Sequence, residues 1–293
     1  MPRRVVPLQF GTIGRPSSIA GNSFKSTPGY TYFTPDEEFE AIPLMCFLAT
    51  CAPTRQKAVL FLDISGCETQ YRTLIERITG WRVFVPTSTG NHHSNEAAAS
   101  SFVKFRESAI LLLHFKILSL PSALNNVPLD SCVYWGSSLA GFVPLLQAKK
   151  HRASLECQST SLIMTTTQAN KLSRNLARSD FIMHPSSADL HHRKDSPWLS
   201  DLRAATRSVL SGDSKLVKGL YEAHLNSLVM GSLGAEEIAI RINKFTARVL
   251  LTGEAEDGSK KYPPIASRLV TPLSVVNGFN LQAAVDAGLL YIW

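Results

Sequence analysis

One serine stands in a segment that could present it for nucleophilic chemistry. An apolar run, residues 132–135, is followed by Gly136-Ser-Ser-Leu-Ala-Gly141 and then by an apolar period typical of a helix. This order predicts a strand, a sharp turn and a helix, with Ser138 at the apex of the turn. A serine hydroxyl becomes a nucleophile only when a neighbouring base accepts its proton and an acid orients that base. Without such partners, Ser138 is a small residue in a structural turn.

The turn resembles the nucleophile elbow of the α/β-hydrolase fold, G-x-S-x-G, with Ala140 in place of the last glycine. Two other loops fit the same resemblance. Asp63-Ile-Ser-Gly66 follows an apolar strand where that family has His-Gly, and segment 86–94 matches three positions of the family's P-D-x-x-G-x-G-x-S loop. The resemblance extends from about residue 30 to residue 293 and implies an α/β-hydrolase-like protein.

The segments around the turn alternate between strand and helix patterns. Short apolar runs predict strands at residues 30–33, 42–49, 57–62, 81–85, 132–135 and 159–164, and a long helix is predicted at about 96–119. Alternation of this kind predicts the α/β class, with a mostly parallel central sheet and helices on both faces. The helical pattern of residues 168–245 resembles the cap that the family inserts, and the family's last two strands would begin at 245 and at 269.

This organisation divides the chain into four parts. Residues 1–29 form a basic leader or extended arm, and residues 30–167 form the first part of the hydrolase-like core. Residues 168–245 form the helical cap insertion, and residues 246–293 form the last part of the core.

The resemblance also implies where the partners of Ser138 stand. The acid position falls on Glu256 or Asp257, whereas the position of the base falls on Asn280 or its neighbour Phe279. None of the eight histidines follows residue 224. Loss of the base costs on the order of 10⁶ in turnover in a comparable triad. The resemblance therefore implies a pseudo-hydrolase in which Ser138 is a vestigial nucleophile.

Two histidines are candidates for a substitute base. His92 and His93 lie in a loop predicted to leave the same edge of the sheet as the turn at Ser138. The alternative is that both are solvated loop histidines. In addition, Asp63 stands near the expected oxyanion site, where its negative charge opposes the charge that a hydrolase must stabilise.

Charge is distributed unevenly along the chain. The net charge is +7, and residues 1–35 contain four basic residues and no acidic residue. A leader of this composition indicates either a mitochondrial or plastid targeting segment or a basic arm that lies on a partner. Two further basic clusters, at 149–152 and 191–194, are typical of solvated helix ends, and they are also candidates for RNA phosphate contacts.

The composition limits the other classes of function. Five cysteines without C-x-x-C spacing predict reduced core residues in a reducing compartment, and we expect no metal site and no cofactor. The longest apolar stretch contains a histidine and a lysine and is too short for a membrane span. We expect a mitochondrial location, or otherwise a cytoplasmic one.

Three hypotheses follow. The preferred one is a catalytically inactive α/β-hydrolase-like protein, not an enzyme, that serves as a structural subunit of a larger assembly, with mitochondrial and ribonucleoprotein complexes as candidates. Its partners would be other protein subunits, with RNA contact through the basic arm and clusters. The alternative is an active ester or thioester hydrolase that uses Ser138 with an unconventional base. The third is a small-molecule binder that uses the pocket under the cap.

Overall fold

The computed structural model describes residues 29–35, 41–51, 57–62, 67–88, 91–115, 117–136, 142–187, 190, 197–229, 233–251 and 269–292. The strands are β1 (Gly29–Phe33), β2 (Lys57–Leu62), β3 (Arg82–Phe84), β4 (Ala109–His114), β5 (Leu129–Trp135), β6 (Cys157–Ile163) and β7 (Ile182–Met183). The helices are α1 (Ala41–Thr50), α2 (Glu68–Thr79), α3 (His92–Lys104), α4 (Phe142–Ser154), α5 (Thr166–Arg178), α6 (Ser200–Gly212), α7 (Ser214–Val229), α8 (Ala235–Arg248), α9 (Leu273–Gly278) and α10 (Gln282–Asp286).

The seven described strands form one sheet in the order β3-β4-β2-β5-β6-β1-β7, and every described pair is parallel. Strands β2 and β4 are almost continuously apolar because each is buried on both faces of the sheet. In the centre of the sheet, Val59 lies opposite Leu111 on one side and Cys132 on the other. The predicted α/β fold with a mostly parallel sheet and helices on both faces is confirmed.

Alternate residues of each strand face two separate cores. Leu60 and Leu112 belong to a core with α1, α2, α6, α7 and α8, which we call the first layer. Their neighbours Phe61 and Leu111 belong to a core with α3, α4 and α5, which we call the second layer. Connections through α1 and α2 run in one direction along the sheet, and those through α3, α4 and α5 run in the other. Because each direction is paired with one layer, all of these crossover connections have the same handedness.

Two early predictions fail because a buried apolar run has no distinctive period. Residues 42–49, predicted as a strand, form most of α1, and eight of its ten residues are buried. The helix predicted at 96–119 is two elements, α3 and β4, separated by Phe105-Arg-Glu-Ser108. The run Ala109–His114 pairs with both β2 and β3, so it is a central strand of the sheet.

The end of the chain differs most from the expectation. The segment predicted as a strand from residue 245 begins with the last turn of α8. The segment predicted as a strand from residue 269 includes the start of α9. One parallel bridge, between Thr271 and Ile292, is the remaining strand-like contact there in the described residues. Within 168–245 the helical pattern is present as α5 to α8, although β7 joins the sheet beside β1.

Candidate functional site

Of the four predicted catalytic residues, the structure describes one, Asn280. Ser138, Glu256 and Asp257 lie outside the described residues, as does Asp63. Strand β5 ends at Trp135, and Gly136 follows with a φ of +152°, which favours glycine. Asn280 is described, and it is an exposed residue with a φ of +52° in the turn that follows α9. Asparagine tolerates this left-handed conformation, so Asn280 has the role of a helix-end residue.

The histidines proposed as a substitute base lie far from the end of β5. His92 and His93 are exposed at the start of α3, where the Asn91 side chain accepts hydrogen bonds from the backbone N–H groups of His93 and Ser94. Helix α3 follows β3, which is at the edge of the sheet and is separated from β5 by β4 and β2. At about 4.8 Å per strand, this is a distance of roughly 14 Å. The fold therefore favours the interpretation of His92 and His93 as solvated residues.

The residues that the structure does bring together are basic, and they lie on the second layer. Helix α5 begins with a capping box: the Thr165 hydroxyl accepts from the Gln168 N–H at 3.2 Å, and the Gln168 side chain accepts from the Thr165 N–H at 2.7 Å. Its apolar stripe, Ala169, Leu172 and Leu176, is buried against the sheet. The opposite side of the helix therefore faces solvent.

Three cations follow one another along this outer side of α5. Lys171, Arg174 and Arg178 are exposed and are spaced three and four residues apart, so they form a stripe along the helix. Helix α4 packs beside α5 and buries Leu145 and Ala148, which leaves Lys149 and Lys150 exposed. We call these five residues, Lys149, Lys150, Lys171, Arg174 and Arg178, the basic face.

The histidine of the predicted cluster at 149–152 is not part of the basic face. His151 is buried and stacks on Phe61 with ring centroids 4.9 Å apart, and its Nε2 lies 3.2 Å from the carbonyl oxygen of Ile117. Burial lowers the pKa of His151 to about 4, so the ring is neutral at pH 7. It is a core residue of the second layer. The second predicted cluster, 191–194, lies outside the described residues.

The two helices of the basic face carry charge of one sign, and the nearest acidic residues in the sequence, Glu156 and Asp180, follow the ends of α4 and α5. Neither α4 nor α5 contains an acidic residue, and in the ranges that the structure describes none of the five cations forms an ion pair. Five fixed positive charges on two packed helices create a local positive potential. Such a surface attracts an extended polyanion. Sequence analysis found Lys149 and Lys150, but it missed the stripe on α5, whose signal is a helical period of cations without acids.

In the described ranges, no group of three or more His, Cys, Asp or Glu residues is arranged to hold a metal ion. No helix in those same ranges combines the length and the apolar character that crossing a membrane requires.

Comparisons with known proteins give a structural likeness and no match in sequence. No protein-family model matches the sequence, and no curated protein matches it. Among solved structures, the chain is similar to Mss116p DEAD-box helicase domain 2 bound to an RNA duplex. This match has a TM-score of 0.46 and 10% sequence identity, and it covers 91% of this chain and 99% of that chain.

The predicted membership of the α/β-hydrolase family is wrong. Helices α8 and α9 occupy the segments where the resemblance requires the family's last two strands. Those strands were the elements expected to present the acid and the base. Because both depended on this family assignment, the interpretation as a hydrolase-like structural subunit is wrong, and so is the alternative of an active serine hydrolase.

Proposed function

We propose that this protein binds RNA through the phosphate groups of its backbone, and that the basic face is the contact surface. The observation that supports this proposal is the set of five exposed cations on α4 and α5, which lack ion-pair partners among the described residues. Cations that neutralise phosphates release condensed counterions, which drives binding in a manner that depends on salt. Acidic residues would reduce that gain, and neither helix has one.

The dimensions of the basic face suit several consecutive phosphates. Lys171 and Arg178 are seven residues apart, which corresponds to about 10 Å along α5. Packed helices lie about 8–10 Å apart, so Lys149 and Lys150 extend the face sideways by a similar length. One strand of a duplex presents a phosphate about every 3.4 Å of its axis, so about three phosphates fit along α5.

The chemistry of the basic face favours contact with phosphate over recognition of bases. Lysine and arginine on a helix surface position a nucleic acid, whereas base recognition needs stacking aromatics or polar groups aimed at base edges. Helix α5 contains no aromatic residue. We therefore expect weak dependence on base sequence, and single-stranded DNA of equal length should bind about as well as RNA.

The test measures how RNA affinity depends on salt. Fluorescence anisotropy with a short labelled single-stranded RNA measures Kd at several salt concentrations from about 50 to 200 mM. The triple variant Lys171→Gln, Arg174→Gln, Arg178→Gln should bind more weakly. Its slope of log affinity against log salt should be smaller by about 2, since each lost contact removes about 0.7.

A matched control separates the basic face from net charge. The variant Arg207→Gln, Lys215→Gln, Lys218→Gln removes the same charge from exposed positions on α6 and α7 of the first layer. It should retain the wild-type slope. Equal losses in the two triple variants would mean that net charge alone drives binding, and unchanged binding by the α5 variant would refute the proposed surface.

Other expectations belong to this proposal and stay predictions. The basic arm, residues 1–29, would add phosphate contacts, although most of it lies outside the described residues. The protein would act by binding and not by catalysis, beside other protein subunits. Its location in the mitochondrion rests on the composition of the same arm.

A further inference from the structure

A cavity of about 240 Å³ lies at the edge of the sheet where the strands end. Its lining includes Trp135 at the end of β5 with Gly136 just after it, Met164 and Thr165 after β6, and Pro35 after β1. Helices α7 and α8 of the first layer close the opposite side. None of the basic-face residues lines it, so the cavity and the basic face are separate.

The position of the cavity is one that parallel sheets favour for ligands. The connection that leaves β2 runs toward β3, whereas the connection that leaves β5 runs toward β6, in the opposite direction along the sheet. A crevice therefore opens beyond the carboxyl ends of β2 and β5, and ligands of open α/β sheets bind in such crevices. Trp135 and Gly136 come from β5, and Tyr71 comes from the helix that follows β2, so the cavity adjoins this point.

One part of the lining is aromatic. Trp135 is half-buried and meets Tyr71 edge to face, with ring centroids 6.0 Å apart. On α7 and α8, His224 stacks on Phe245 with ring centroids 4.0 Å apart. Aromatic walls give a planar ring a large apolar contact and favourable offset or edge-to-face geometry.

Another part of the lining is cationic. Arg241 and Lys244 are separated by three residues on α8, so they lie on one side of that helix. The Arg241 Nε–H donates to Glu237 at 2.6 Å, and a guanidinium has further donors on its terminal nitrogens. Thr165, the N-cap of α5, and Gln168 place the N-terminal end of that helix beside the cavity, where their two mutual hydrogen bonds cap it. No acidic side chain lines the cavity in the described part of the chain.

We infer that this cavity binds a small organic anion in which a planar ring carries a phosphate group. The ring contacts Trp135 and Tyr71, and the phosphate lies against Arg241 and Lys244. The volume is slightly below the range of about 300–1,000 Å³ that is usual for drug-sized ligands, so a mononucleotide is close to the upper limit of size. This site goes beyond the proposed RNA contact and uses different residues.

The test compares three probes by thermal unfolding of the full chain. AMP has both the ring and the phosphate, adenosine has the ring alone, and ribose 5-phosphate has the phosphate alone. A ligand that binds only the folded state raises Tm by mass action, and a saturating concentration of AMP should raise it by roughly 5 °C. Adenosine and ribose 5-phosphate should each give a smaller rise. No rise with AMP, or an equal rise with adenosine, would overturn the inference.

Variants at the cavity test the role of the cations. Lys244→Met should abolish most of the AMP-dependent rise, Lys244→Arg should retain it, and Lys215→Met should behave as the wild type because Lys215 is an exposed lysine of the same layer outside the cavity. The α5 triple variant should bind RNA more weakly and keep the AMP response, so the two proposals can fail independently. An unchanged response in Lys244→Met, with wild-type Tm in the absence of ligand, would overturn the inference.

Discussion

The two helical layers on the sheet differ in how they arrange charge. In the first layer, basic residues are paired with acidic ones, as in Arg72 with Glu76, Arg77 with Asp213, Lys218 with Glu222 and Arg241 with Glu237. In the second layer, α4 and α5 carry cations without acids. Exposed ion pairs contribute little to stability, so the pairing in the first layer mainly cancels its potential. The second layer keeps its potential, which is what a polyanion-binding surface requires.

The layers should nevertheless share one cooperative unfolding transition, because they share one sheet. Leu111 and Leu112 are adjacent, fully buried residues of β4 that face the second and the first layer respectively. Leu111→Ala and Leu112→Ala should each lower the free energy of unfolding by about 2–5 kcal/mol. Urea denaturation followed by circular dichroism and by tryptophan fluorescence should give coincident transitions for both variants. A separate early transition for one variant would mean that its layer unfolds by itself.

Acid should destabilise the second layer through His151. The pKa of His151 is about 4 in the folded protein because of burial, and about 6.5 in the unfolded chain. Between these values the unfolded chain binds a proton that the folded protein does not, so stability falls as pH decreases from 6.5 to 4. The loss should reach about 3 kcal/mol.

The His151→Leu variant provides the control for this effect. It removes the titrating ring from the stack on Phe61 and should show a weaker dependence of stability on pH in the same range. Urea midpoints at pH 7, 6, 5 and 4.5 measure the difference. Parallel pH profiles for wild type and variant would contradict the assignment of His151 as a buried neutral residue.

Sequence patterns predicted the parts of the fold that are locally determined. Strands β2 and β5 are short apolar runs bounded by polar residues, and both were predicted. Helix α1 was missed because Ile42–Ala49 is apolar on all sides, so a helix and a buried strand have the same pattern. The late strands were wrong because the family resemblance decided how the apolar runs after residues 245 and 269 were interpreted, whereas α8 has the amphipathic period of a helix.

The candidate site was predicted only in part. Lys149 and Lys150 form a visible cluster in the sequence, whereas Lys171, Arg174 and Arg178 become a single surface only when α5 forms and packs beside α4. His151 was counted with the cluster because sequence alone does not show that it turns toward the core. The cavity residues are still less predictable, since they come from distant segments that meet only in the folded protein.

A contact within the first layer, between α2 and α7, should make a smaller contribution to the free energy of unfolding. The Asp213 side chain accepts a hydrogen bond from the Leu216 N–H at 2.8 Å at the start of α7, and it pairs with Arg77 of α2. The Leu216 bond and then Arg77 lower the pKa of Asp213, so its contribution to stability is lost as pH falls through the lowered pKa.

Asp213→Ala should lower the free energy of unfolding by about 1 kcal/mol, mainly through the lost helix cap. Arg77→Met should cost less, because it removes only an exposed ion pair. Lys150→Gln in the second layer should be neutral within about 0.5 kcal/mol. A cost for Arg77→Met equal to that of Asp213→Ala would show that the ion pair, and not the cap, stabilises this contact.

The most direct measurement of the proposed interface is acetylation of individual lysines with and without RNA, read by mass spectrometry of the full chain. Lys149, Lys150 and Lys171 report on the basic face, and Lys215 and Lys218 are exposed lysines of the first layer. RNA bound to the basic face should reduce acetylation of the first three and leave the other two unchanged. Acetylation that saturating RNA leaves unchanged at all five lysines would contradict the assignment of the basic face as the RNA-binding surface. Protection confined to Lys215 and Lys218 would contradict it as well.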